Sequence, residues 1–426
     1  MLNTEIYNEL VESGHVYIAN LINQENDRQE NNIELIASEN FPSDAVRAAA
    51  ASSFVAKYSE GYPTERTTGN RGRYYGGCEN VDLLEEYCCT KWKEAFQTDY
   101  HVNVQPHSGS SANFAAYMAV LSAGDTILSM SLNNGGHLTH GSPVNFSGKL
   151  FNVVSYGVDE HGYLDYSDLE RKIIEYRPKL VLVGASAYSR IIDFERIAKC
   201  IDNAVNVCVA NDGKYTNYYD APIYMVDMAH IAGLIVAGVH PSPFGYADII
   251  TTTTHKTLRG TRGGLIFCRN EYAKRIDSAV FPCCQGGALQ HIIAAKAVTA
   301  EEACTPEFKN YIYDVVDNTK AMCDEFIKMG YEIVTGGTDN HLFLIDFSNT
   351  HPNLTGKMVQ DELDKYGITL NKNCVPNEKR SPMQTSGVRI GCAAMTTKNF
   401  SKLAFIETAK EINDIITEME GNHDSD

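Results

Sequence analysis

Ala247-Asp248-Ile249-Ile250-Thr251-Thr252-Thr253-Thr254-His255-Lys256-Thr257 passes from apolar and β-branched residues straight into a His-Lys pair. Such residues suit a pleated, buried surface, so the segment through Thr254 reads as a buried strand. The strand delivers Lys256 at its end, just before the flexible Arg259-Gly260-Thr261-Arg262-Gly263-Gly264. Burial disfavours a charged ammonium, and the neutral amine that results can attack a carbonyl to form a Schiff base. Most lysines after strands are merely solvated ends, so this pattern needs support from elsewhere in the chain.

Upstream, Ile223-Tyr224-Met225-Val226-Asp227-Met228-Ala229-His230 is a second apolar strand that ends in an aspartate. An aspartate in that place can keep a pyridine nitrogen protonated, which makes pyridoxal phosphate a strong electron sink. Gln105-Pro106-His107-Ser108-Gly109-Ser110-Ser111-Ala112-Asn113 opens a small-residue helix over 112–121. Hydroxyls and free N–H groups at such a helix start bind phosphate. Phosphate cup, acid and lysine thus follow one another in chain order.

The chain has 426 residues, enough for two domains, with 43% hydrophobic and 21% charged residues, ordinary for a soluble globular protein. A net charge of −18 argues against nucleic-acid binding, which needs a basic footprint. The 12 cysteines include the adjacent pairs Cys88-Cys89 and Cys283-Cys284 but no zinc spacing, so reduced thiols and no metal are expected. No apolar run is long enough to span a membrane, and the N-terminus has neither signal nor transit pattern, so the expected location is cytoplasmic.

Helical apolar spacing over 4–24 (Ile6, Leu10, Tyr17, Leu21) suggests an N-terminal helical arm, residues 1–31. Helices at 82–96 and 166–176 alternate with strands at 179–183 and 223–226. This predicts an α/β fold with a largely parallel sheet, whose strand ends carry Ser186, Asp227 and Lys256. The large domain is placed at 32–287. A smaller C-terminal α+β domain, 288–426, begins with a long helical stretch over 290–329. Strands at 332–334, 341–347 and 387–390, a helix over 401–419 and a disordered acidic end from Glu420 to Asp426 follow.

Family words are also present: Glu34-Leu35-Ile36-Ala37-Ser38-Glu39-Asn40, Lys57-Tyr58-Ser59-Glu60-Gly61-Tyr62-Pro63, Tyr74-Tyr75-Gly76-Gly77-Cys78-Glu79 and Gly135-Gly136-His137-Leu138-Thr139-His140-Gly141-Ser142-Pro143. Thr338-Asp339-Asn340-His341-Leu342, Asn371-Lys372-Asn373 and Ser386-Gly387-Val388-Arg389-Ile390-Gly391 continue the series. Across residues 31–400 the chain resembles serine hydroxymethyltransferase, a fold-type I pyridoxal-phosphate transferase with a mostly parallel seven-stranded sheet.

The resemblance implies reversible transfer of the serine hydroxymethyl carbon to tetrahydrofolate, giving glycine and 5,10-methylenetetrahydrofolate, with the cofactor as an aldimine on Lys256. It places Asp227 on the pyridine nitrogen and His137 on the ring face, with Ser186 at a neighbouring strand end. Ser108, Gly109 and Ser110 would hold the phosphate, while Gln285, Gly286 and Gly287 would reach the phosphate of a neighbouring subunit's cofactor. That arrangement implies a homodimer at least. Arg389 is the candidate for the substrate carboxylate, because a planar guanidinium can grip it bidentately. Ser38, Tyr58 and His230 resemble other substrate contacts, and Glu60 is the candidate general acid/base. His255 and Arg262 are expected to lower the lysine pKa by charge. Folate contacts would be Tyr75, Leu132, Gly136, Leu138, Asn373, Ser381, Pro382 and Met383.

Two insertions depart from the family, Thr64–Arg73 and Lys199–Met225. So do Cys392-Ala393-Ala394, Cys283-Cys284 and Ala288, where the last replaces a loop-stiffening proline. A folate-independent aldolase of β-hydroxy amino acids and a catalytically silent homologue are the competing readings. Dimer and tetramer are not distinguished.

Overall fold

In the computed structural model, which describes residues 2–63, 72–212 and 221–423, the threonine run forms the strand Ile249–Thr253, buried at every position. It belongs to a seven-stranded sheet. In chain order the strands are β1 His101–Asn103, β2 Thr126–Met130, β3 Asn152–Tyr156, β4 Leu180–Gly184, β5 Ile223–Asp227, β6 Ile249–Thr253 and β7 Gly264–Cys268. Across the sheet the order is β1-β7-β6-β5-β4-β2-β3. β2 to β6 pair in parallel, whereas β7 runs antiparallel to both β6 and β1. The fully apolar β4 carries no polar face because helices cover both sides of a parallel sheet.

Register sets the functional edge. Gly184 pairs with Asp227, and Asp227 with Thr251, so the carboxyl ends of β4, β5 and β6 lie level. Ligands of open α/β sheets gather at that edge. Lys256 follows β6 in a short 3-10 turn.

A second sheet is wholly antiparallel. Its strands are β8 Glu332–Ile333, β9 Leu342–Asp346, β10 Asn371–Asn373 and β11 Gly387–Gly391, in the order β10-β11-β9-β8. Helix Pro306–Lys328 joins the two cores. Its Phe308, Ile312 and Val315 pack with the large sheet, and its Met322, Cys323 and Phe326 pack with Phe343, Ile345 and Ile390 of the second. Helix Gln290–Ala303 also contributes Ile293, Ala297 and Ala300 to the first core. Ile33–Glu34 pairs in parallel with Ile368–Thr369, so the chain meets the second core before entering the first.

Several boundaries differ from those the periodicity suggests. The N-terminal segment is two helices, Leu2–Glu12 and Val16–Asn31, because Gly14 takes φ +87°, which ends the first. The stretch 290–329 is likewise broken: Thr305 caps a new helix by accepting from Phe308 N–H, with Pro306 at its first position. The first part of the second insertion, Lys199 to Asp212, continues helix Phe194–Asp212. The final helix, Lys402–His423, runs through Glu420, where disorder was expected. Most of the Thr64–Arg73 insertion, the centre of the second and the last three residues lie outside the described residues. Among those described, no helix is long and apolar enough to cross a membrane.

Phe326, fully buried beside Tyr331 and Phe343, lies where the joining helix enters the second core. Phe326→Ala should cost about 3–5 kcal/mol of stability. Urea unfolding followed by circular dichroism checks this; a loss within experimental error would mean the second core tolerates the cavity.

Candidate active site

Asp227 is placed by β5 and held by three donors. His140 Nε2 donates to its Oδ2 at 3.0 Å, Asn113 Nδ2 to the same oxygen at 2.9 Å, and Ala229 N–H to Oδ1 at 3.1 Å. Asn113 is fixed in turn, since Thr251 Oγ1 donates to its Oδ1 at 2.6 Å. Burial alone would raise the carboxyl pKa, but His140, Asn113 and the positive Lys256 hold it well below the usual carboxylate range. A largely enclosed carboxylate, 11% exposed, that stays charged is the partner a protonated pyridine nitrogen requires.

Lys256 is buried and takes φ +61°, a left-handed conformation that a lysine adopts only where its surroundings enforce it. Asn40 Nδ2 donates to its carbonyl at 2.8 Å, and the same amide donates to Tyr311 Oη. Burial pushes the ammonium down to about 8; Asp227 acts against this, and Arg389 and Arg262 add to it. His255 was expected to add charge here. Burial instead depresses it to about 3, so at neutral pH the ring is uncharged and the two arginines supply the field.

Arg389 comes from the middle of β11 and reaches across to the large sheet. Its Nη1 donates to Ser186 O at 2.6 Å and its Nε to Asn371 Oδ1 at 3.1 Å. Ser186 therefore contributes a carbonyl to this contact. Among the described residues Arg389 is held by these neutral acceptors and not by an acidic side chain, although it is almost wholly buried. Burial lowers its pKa to about 10, which leaves it charged and open to a carboxylate from outside the chain.

Ser108 caps helix Gly109–Val120 in a reciprocal box with Ser111. The first N–H groups of the helix, at Gly109 and Ser110, have no partner within it. Gly264 lets β7 approach this turn, because a Cβ there would lie 2.3 Å from Ser108 O. His137 lies near Asp227, with Thr139 N–H donating to its Nδ1 at 3.2 Å. Burial and the adjacent His140 depress it to about 4, giving a neutral ring. His230 is fully buried, and its Nδ1 lies 3.0 Å from His341 Nε2.

A second cluster holds Tyr58, Glu60, Tyr75, Gly286 and Gly287. The rings of Tyr58 and Tyr75 meet edge to face at 5.2 Å, and Tyr75 Oη lies 3.5 Å from Glu60 Oε2. A Cβ on Gly286 would fall 3.1 Å from Glu60 Oε1, and one on Gly287 would fall 3.7 Å from Tyr58 Cε1. Gln285 Nε2 donates to Gln105 O. Arg73 braces the cluster from behind, donating to Ser59 O and Gly61 O at 2.9 and 2.7 Å while pairing with Glu85 and Asp82. Among the described residues no hydrogen bond, ion pair or ring contact joins this cluster directly to Lys256, Asp227 or Arg389. Tyr58 is 58% exposed.

Leu132 and Leu138 sit in two short turns after β2, and Met383 in the loop before β11; all three are exposed. Gly136 lies between those turns, Asn373 ends β10, and Ser381 and Pro382 are exposed beside Met383. Ser38 follows Ala37, which packs on Leu342 and Leu344 of β9.

With Lys256, Asp227, the helix start at Ser108 and Arg389 gathered at one sheet edge, comparison with known families becomes decisive. The family model described as serine hydroxymethyltransferase matches residues 11–412 of 426. The chain belongs to the serine hydroxymethyltransferase family. This family is of fold-type I, depends on pyridoxal phosphate and transfers hydroxymethyl groups between serine and glycine with tetrahydrofolate.

The sequence reading assigned no role to His140, Asn113, Arg73 or His341. Asn113 had a visible signal, a polar amide among the alanines of an otherwise small-residue helix. Arg73 appeared only as the end of an insertion.

The amine of Lys256 reacts only when deprotonated. In cofactor-free protein its rate of capture by pyridoxal should therefore rise about tenfold per pH unit below pH 8 and level off above it. Arg389→Met, which removes a neighbouring cation, should move the midpoint up; Asp227→Asn should move it down. Stopped-flow absorbance checks both directions, and shifts of the opposite sign would contradict this charge arrangement.

Proposed function

We propose that this chain catalyses reversible transfer of the hydroxymethyl carbon of serine to tetrahydrofolate, leaving glycine. The observation that carries the reading is the combination of a buried lysine with a depressed pKa, a largely enclosed, ionised Asp227 and a buried Arg389 without an acidic partner. The residues fit pyridoxal phosphate. Ser108, Gly109 and Ser110 would take its phosphate, His137 its ring face, Asp227 its ring nitrogen and Lys256 its carbonyl carbon. When bound, the cofactor supplies an electron sink for bonds broken at the substrate α-carbon.

Arg389 takes the amino-acid carboxylate, assisted by Ser38 and His230, and so fixes which α-carbon bond faces the ring. Glu60 holds and moves a proton at the substrate hydroxyl, with Tyr58 beside it. Leu132, Leu138 and Met383 offer apolar surface for the flat folate ring system, and Tyr75, Gly136, Asn373, Ser381 and Pro382 line its approach.

Within the described residues Glu60 and Tyr58 make no hydrogen bond or ring contact with Lys256, and Tyr58 and Gly286 face solvent. We therefore assign them to the site of a second copy, where Gln285 to Gly287 would close on the phosphate. A homodimer with shared sites is the smallest working unit. The exposed Val16, Tyr17, Ile18 and Leu21 of the second N-terminal helix give that copy an apolar surface to cover. We place the enzyme in the cytosol, in keeping with free thiols at all its cysteines.

Purified protein with pyridoxal phosphate should release glycine from serine only when tetrahydrofolate is present. Cleavage of β-hydroxy amino acids unaffected by folate would favour the aldolase reading, and failure to bind the cofactor would favour a silent homologue. Arg389→Met should lose about 2–5 kcal/mol of transition-state binding, read from kcat/KM for serine. Lys256→Ala and Glu60→Gln should each be inactive alone. Subunits mixed after unfolding and refolding should regain about a quarter of wild-type activity, because half the dimers then contain one intact site. No recovery would mean Lys256 and Glu60 act from the same chain.

A further inference from the structure

His341 has no role in the reaction proposed above, yet it is one of the most enclosed polar side chains in the molecule. It is fully buried at the start of β9 in the second domain, and its Nε2 lies 3.0 Å from Nδ1 of His230 in the large domain. The two rings stack at 28° with centroids 5.3 Å apart. Its other nitrogen, Nδ1, is sealed from solvent and has no hydrogen-bond partner among the described residues. Its backbone is fixed by Cys392 N–H donating to His341 O at 3.2 Å.

These contacts restrict where the protons can be. Both rings are neutral: burial acts first on each, and the cations Arg389 and Lys256 reinforce it. A bond between two neutral imidazoles requires one nitrogen to donate and the other to accept. If His230 donated from Nδ1, His341 would have to carry its own proton on the sealed Nδ1, an orphaned buried N–H. If His341 donates from Nε2, only a lone pair is left bare, the less costly of the two arrangements. The second arrangement also places the His230 proton on Nε2, the nitrogen turned away from His341.

We propose that His341 is a positioning residue that sets the tautomer of His230, making its Nε2 a hydrogen-bond donor toward an anionic oxygen bound in the site. The two histidines come from different domains, so the donor is set only while the second core is seated against the large sheet. What the donor serves rests on the function proposed above; the tautomer itself does not.

Magic-angle-spinning nitrogen NMR of cofactor-free protein carrying isotope-labelled histidine tests this without turnover. The His230 signals are identified by their loss in His230→Gln. The expected result is a pyridine-type shift for His230 Nδ1 and a pyrrole-type shift for Nε2. The reverse pattern in the wild-type protein overturns the proposal, whatever any variant does. In His341→Phe the two His230 tautomers should mix, and in His341→Gln, whose amide can still donate, the wild-type pattern should return. An unchanged His230 spectrum in a folded His341→Phe would equally overturn it.

Discussion

One buried carboxylate has to remain charged in a place where burial argues against it. Asp227 is enclosed at the end of a central strand, and without donors it would take up a proton. Its three hydrogen bonds come from the helix capped by Ser108, from the turn that also carries His137, and from its own following loop. Moving any of those elements would weaken the carboxylate. The elements that carry Ser108 and His137 therefore also maintain the charge of Asp227.

Lys256 requires the opposite treatment, since it must be able to lose a charge. It shares the sheet edge with Asp227, and the carboxylate opposes the loss that burial, Arg389 and Arg262 promote. The balance leaves an amine near the middle of its titration around pH 8, where neither form is strongly favoured. Level registration of β4, β5 and β6 makes such a balance possible, because it brings residues 29 positions apart in sequence onto one edge without a long loop.

The strands and their terminal residues were legible because local pattern determines them. A β-branched run ending in His-Lys, or an apolar run ending in Asp, carries its placement within a few residues. The break at Gly14 and the restart at Thr305-Pro306 were written in the sequence as well, in residues that stop and cap helices, but apolar periodicity passes over them. The contacts of Asn113, His140 and His341 were not legible in this way. Each polar group meets a partner far along the chain, 114 residues away for Asn113 and Asp227 and 111 for His230 and His341. No local propensity encodes such a pairing; it follows only from the sheet order and the docking of the second core.

That docking gives the site its conditional character. Arg389 lies on a strand of the second sheet yet bonds the carbonyl of Ser186 beyond β4, and His341, just before the neighbouring strand, meets His230 beyond β5. Helix Pro306–Lys328 enters both cores, so its two halves cannot shift independently without breaking apolar contacts on one side. A rotation of the second core would withdraw Arg389 from Ser186 and His341 from His230 together.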